Sequence, residues 1–109
     1  MKIETEEQVK EIYEYCKSRL PKINDYQLEV VQGHEQFTNE KSGKVIVMDG
    51  VILNVYKGET KIASSFGVDA NDALLDIYKQ LFIFFTAPVG KVIVEKPALG
   101  KTHLSYRGN

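Results

Sequence analysis

Two histidines, one cysteine and three closely spaced aspartates are the side chains with which this 109-residue chain could do chemistry. His103 and Ser105 stand two apart in a stretch that alternates like a strand, so both project from one face and could couple as base and hydroxyl nucleophile, with Tyr106 beside them. A His and a Ser in that relation are far more often two solvent-facing polar residues, and that plainer reading is adopted. His34 follows Gly33 in a polar stretch, and His34-Glu35 alone is not a metal site. Cys16 falls on the apolar line of a predicted helix, which makes it a buried, inert thiol rather than a nucleophile. Asp69, Asp72 and Asp76 recur at helical spacing like a ligand cluster, but carboxylates at the head of a helix are explained by capping and by the helix dipole. The chain has no C-x-x-C, H-E-x-x-H or D-x-D-x-D-G pattern. Gly100-Lys101-Thr102 ends like a phosphate-binding loop, yet Glu95 occupies the place of that motif's first glycine, and residues 102–107 alternate like a strand instead of opening a helix. The expectation is a non-enzymatic protein without metal or cofactor.

The charges nearly cancel, 14 Lys and Arg against 15 Asp and Glu, which removes the field that a non-specific nucleic-acid binder needs. A single cysteine cannot form an internal disulfide, so a reducing, cytoplasmic setting is the default expectation. The opening residues Glu4, Glu6 and Glu7 do not suit a signal peptide. The longest apolar run, 81–85, is far below the roughly 20 residues of a membrane span, and no membrane partner is expected. With 43% hydrophobic residues and no linker or repeat, residues 1–109 should form one domain around one core.

The elements follow from periodicity. Thr5 with Gln8 has the form of a capping box, and Val9, Ile12, Tyr13, Cys16 and Leu20 recur at helical spacing, predicting a helix over 5–20 that Pro21 ends. From residue 26 the period falls to two, with Tyr26, Leu28 and Val30 alternating, and turn-rich residues fill 33–43. Strands 45–48 and 51–56 are joined by Asp49-Gly50, a hairpin signal because both residues tolerate positive φ. Residues 57–59 turn into a strand over 60–66. Gly67 breaks the pattern, and Asp69 caps a second helix over 69–85. Two further strands, 91–95 and 102–107, suggest a closing hairpin. The predicted order is α-β-β-β-β-α-β-β, an α+β fold with two helices on one face of a mostly antiparallel sheet.

The run VILNVYKGETKIASSFGVDANDALLDIYKQL, residues 51–81, with Ala73 and Leu74 at packing positions, resembles the last strands and second helix of the double-stranded-RNA-binding domain, and with the helix before Tyr26 the outline α-β-β-β-α is similar. The resemblance covers about half the chain and implies that fold and contact with RNA. That family opens its second helix with a lysine cluster that grips phosphates, where this chain has Asp69-Ala70-Asn71-Asp72.

Helix 69–85 is unusual in carrying more than one apolar line. Ala70, Ala73, Leu74, Ile77, Leu81, Phe84 and Phe85 make a core face, while Leu75, Tyr78 and Phe82 follow a second line beside it. Either the C-terminal hairpin folds over that line, which is the plainer reading, or the line is an exposed patch that binds a partner. Residues 86–109 carry Lys91, Lys96, Lys101 and Arg107 against Glu95 alone. The leading expectation is a small protein-interaction module that binds another protein or itself through Leu75, Tyr78 and Phe82, of a kind frequent among phage and mobile-element products that inhibit host enzymes. The alternative is a nucleic-acid binder of degenerate double-stranded-RNA-binding form that uses the basic C-terminal strands.

Overall fold

A computed structural model describes residues 1–20, 26–86 and 104–108, with elements in the order α1 (Glu6–Arg19), β1 (Gln27–Thr38), β2 (Val45–Lys57), β3 (Thr60–Gly67), α2 (Ala70–Thr86) and β4 (Ser105–Gly108). The capping box of α1 is formed: Thr5 Oγ1 accepts from the Gln8 N–H at 3.2 Å, and Gln8 Oε1 accepts from the Thr5 N–H at 3.0 Å. At the head of α2, Asp69 Oδ1 accepts from the Asp72 N–H at 2.9 Å, and Asp72 Oδ2 reaches back one residue past the cap to accept from the Val68 N–H at 3.1 Å.

The four strands form an antiparallel sheet ordered β3-β2-β1-β4. Leu28 and Val30 of β1 lie opposite Val55 and Leu53 of β2, so these side chains share one face. They form the core with Val9, Ile12, Tyr13 and Cys16 of α1 and with Ala70, Ala73, Leu74, Ile77 and Leu81 of α2. Both helices therefore pack on that face, and the α+β class read from the sequence is the class adopted.

The strand count differs from expectation. Residues 45–48 and 51–56 belong to the single 13-residue strand β2, and Asp49-Gly50 is no turn. Among the described glycines only Gly43 and Gly58 have positive φ, at 70° and 64°. The chain reverses over 39–44, where Asn39 Oδ1 accepts from the N–H groups of Lys41 and Ser42 at 2.9 and 3.2 Å. Residues 33–38, expected in a turn-rich stretch, complete β1. Gly50 is small for a packing reason: a Cβ there would stand 2.2 Å from the Gly67 carbonyl oxygen and 2.8 Å from the Phe66 ring. The expected turn at 57–59 is present, with Gly58 in the left-handed region. Of the closing hairpin, residues 91–95 and 102–103 lie outside the described residues. Its last strand, β4, pairs with β1 at Leu28–Val31.

These pairings leave an overhang. β3 reaches only to Val51 and β4 only to Val31, whereas β1 and β2 stay paired to Thr38 and Val45. Beyond the Gly33–Gly50 pair, residues 34–38 and 45–49 continue as a two-stranded ribbon with no other described strand beside it.

Candidate protein-interaction surfaces

The ribbon exposes most of its apolar side chains. Val45, Ile46, Val47, Met48 and Phe37 are all exposed, Val47 to 56% and Phe37 to 44%. Phe37 lies directly opposite Ile46, and Glu35 opposite Met48, so Phe37, Ile46 and Met48 cluster on the face away from the helices. Val45 and Val47 occupy the helix-side face with Gln36 and Thr38 across from them. β-branched residues give this ribbon its extended form, but no layer covers either face among the described residues. Sequence reasoning identified 45–48 as a strand and missed its exposure. The available signal was four consecutive apolar residues beside Gly50, since a continuous run in a strand puts hydrophobic groups on both faces.

The second apolar line of α2 lies on the outer side of that helix. Leu75 and Phe82 are 63% and 71% exposed, and Tyr78 and the neighbouring Ile83 are exposed as well. Ala70, Ala73, Leu74, Ile77 and Leu81 of the first line are buried, while the side chains of Phe84 and Phe85 lie outside the described residues. The hairpin proposed to cover the second line includes residues 91–103, outside the described residues.

The residues with chemical potential are dispersed. His34 is exposed on the ribbon and stands opposite Asp49. His103 lies outside the described residues. Ser105 is exposed on the face away from the helices, and Tyr106 turns to the other face, where its ring meets that of Tyr13 edge-on at 4.7 Å. Cys16 is fully buried, and the loss of solvent pushes its thiol up to about 11, although the charge of Arg19 acts in the opposite direction. Such a thiol stays protonated and unreactive at neutral pH. Asp69 and Asp72 are caps, and Asp76 Oδ2 accepts from Gln80 Nε2 at 3.0 Å. Among the described residues no group of three His, Cys, Asp or Glu side chains converges to hold a metal ion.

Polar side chains on the sheet's outer face are engaged with one another. Glu29 Oε1 accepts from Asn54 Nδ2 at 2.9 Å and from the Tyr56 hydroxyl at 3.1 Å, and the Ser64 hydroxyl donates to Asn54 Oδ1 at 2.7 Å. Arg107 stacks over the Tyr56 ring at 4.0 Å and donates from Nε to Gln27 Oε1 at 2.8 Å. This network joins β4, β1, β2 and β3 side by side, so it braces the sheet. No described helix is long and apolar enough to cross a membrane.

No protein-family model, curated protein or solved structure matches the chain. The order α1-β1-β2-β3-α2 is present as the sequence led one to expect, with β4 at the β1 edge.

Proposed function

We propose that this chain is a non-enzymatic protein-interaction module whose principal contact surface is the ribbon of residues 34–38 and 45–49. The exposed cluster of Phe37, Ile46 and Met48, flanked by Val45 and Val47, carries this reading. A projecting element with apolar groups on both faces gains by being covered, and contiguous exposed apolar surface marks interaction sites. Leu75, Tyr78 and Phe82 on α2 are proposed as a second contact, as their line in the sequence suggested. Inhibition of a host protein by a phage or mobile-element product remains the proposed setting for such a module.

Nucleic-acid binding is the competing reading, and the head of α2 counts against it. Asp69 accepts from the first-turn N–H of Asp72 and Asp72 from the Val68 N–H just before the helix, so the position where the resembling family grips phosphate carries negative charge instead. The test compares the wild-type chain with a Phe37→Ser/Ile46→Thr/Met48→Ser variant in affinity capture from source-cell lysate, alongside titrations with duplex RNA and DNA at about 150 mM salt. The expected result is a protein partner retained by wild type and lost by the variant, with nucleic-acid affinity no tighter than the ~10⁻⁶ M of non-specific binding. Nanomolar binding to either duplex, unchanged in the variant, would overturn the proposal.

A further inference from the structure

The outer side of β2 in the ribbon has a backbone direction that the rest of the sheet specifies. In an antiparallel sheet, alternate residues turn their N–H and C=O groups to opposite neighbours. The Gln32 N–H donates to the Leu104 carbonyl at 2.7 Å, toward β4, and Gln32 stands opposite Val51. Val51 therefore turns its groups away from β1, and Val45, Val47 and Asp49 share its parity. The Asp49 carbonyl agrees, since it accepts from the Met1 amino group at 3.2 Å, a group that also donates to the Val68 carbonyl at 2.7 Å just past β3. Val45 and Val47 thus hold out N–H and C=O groups along an edge that no described strand covers.

The edge of β3, by contrast, is guarded. Gln80 Oε1 accepts from the Ser64 N–H at 2.9 Å and its Nε2 donates to the Ser64 carbonyl at 2.6 Å, so a side chain of α2 takes the place of a neighbouring strand. On the β1 side of the ribbon stand His34, Glu35 and Gln36, polar residues of the kind that discourage edge pairing. Val45, Ile46, Val47 and Met48 carry no charge and have strong β-propensity, which makes their open edge a pairing template.

We infer that the occupant of this edge is a second copy of the chain, its β2 added antiparallel across a two-fold axis at Ile46. The inference rests on the ribbon being the contact surface. A two-fold axis perpendicular to the sheet places residues of equal parity opposite each other. With the Asp49 carbonyl already engaged, Val45 and Val47 are the residues left to exchange bonds. Val45 of each copy then faces Val47 of the other, giving four backbone hydrogen bonds, and Ile46 faces its own counterpart. The Phe37, Ile46 and Met48 clusters of the two copies merge on one face. The antiparallel arrangement also brings Asp49 of each copy to the other's 39–44 loop, where Lys41 and Lys44 outweigh Glu40, so opposite charges meet at both ends. The pairing closes on itself because the opposite ribbon edge is polar. Four residues per strand make a contact below the ~1,200 Å² of a standard interface, which places the dimer in the weak, transient class.

Sedimentation velocity across a wide concentration series tests this. Wild type should pass from monomer to dimer and no further. Val47→Pro removes an N–H that faces outward and leaves the β1 pairing intact; it should weaken association at least ~10-fold. Val47→Lys, which places a charge at the edge, should do the same, and circular dichroism melts establish that both variants fold. Ile46→Cys should form a disulfide-linked dimer with its counterpart, since directly opposed non-hydrogen-bonded residues have Cα atoms about 4.5 Å apart and buried Cys16 does not compete. Monomeric wild type, or folded Val47 variants that associate like wild type, would overturn the second copy as occupant. If wild type is monomeric yet its captured partner is lost with the Phe37/Ile46/Met48 variant, only this inference fails. If self-association survives both Val47 variants and is lost in Leu75→Ser/Phe82→Ser, the ribbon itself is wrong and α2 is the contact.

Discussion

Gly50→Ala should lower stability by about 2–3 kcal/mol, because the position is a close approach in the middle of a strand and no turn. Replacing glycine in a strand ordinarily helps by ~0.5–1 kcal/mol through the unfolded chain. Here the added Cβ would stand 2.2 Å from the Gly67 carbonyl oxygen and within 2.8 and 2.9 Å of two Phe66 ring atoms. The β3 backbone cannot retreat easily: a Cβ on Gly67 would itself lie 2.2 Å from the Ala73 nitrogen, and the Ser65 hydroxyl is tied to the Ala73 carbonyl at 2.9 Å. Overpacking of this kind costs ~1–3 kcal/mol and more when backbone must move, which exceeds the propensity gain. At roughly 4 °C or more per kcal/mol for a chain of this size, the midpoint should fall by about 8–15 °C. The decisive comparison is Gly50→Asn against Gly58→Asn in thermal and urea melts. Gly58 has φ of 64° and nothing within 4 Å of its added Cβ, and asparagine tolerates that backbone, so the second change should be mild. Equal tolerance at both sites would show that Asp49-Gly50 is a turn after all and would remove the ribbon.

Cys16 should resist thiol reagents in the native state at pH 8 and react on unfolding. Its thiol is raised to about 11 from 9.0, so the unfolded chain loses this proton first, and the associated stability, present below about pH 9, should decline as pH rises through about 11; native reactivity at pH 8 would contradict the burial. Phe82→Ala, at 71% exposure, should change stability by less than ~0.5 kcal/mol, whereas Ile77→Ala on the buried line should cost ~2–5 kcal/mol. A loss of ~3–5 kcal/mol at Phe82, measured by urea unfolding, would instead mean that another segment covers it.

Local chemistry was legible in the residues themselves wherever one segment decides the outcome. Thr5 and Gln8 cap α1, Asp69 and Asp72 cap α2, and the buried line of α2 follows its spacing, because caps and helical faces depend on neighbours three or four positions away. Lys57-Gly58-Glu59 turns for the same reason. The inert burial of Cys16 followed from its place on the α1 stripe. The meaning of Asp49-Gly50 did not follow, since a small residue serves a turn or a close approach equally well, and only the arrival of Gly67 and Phe66 from β3 selects the second. The lengths of β3 and β4 likewise decided that residues 34–38 and 45–49 stand as a ribbon. Burial of an apolar strand is conferred by its neighbours in the sheet, and Val45, Ile46, Val47 and Met48 would read identically in the centre of a sheet or at its exposed end.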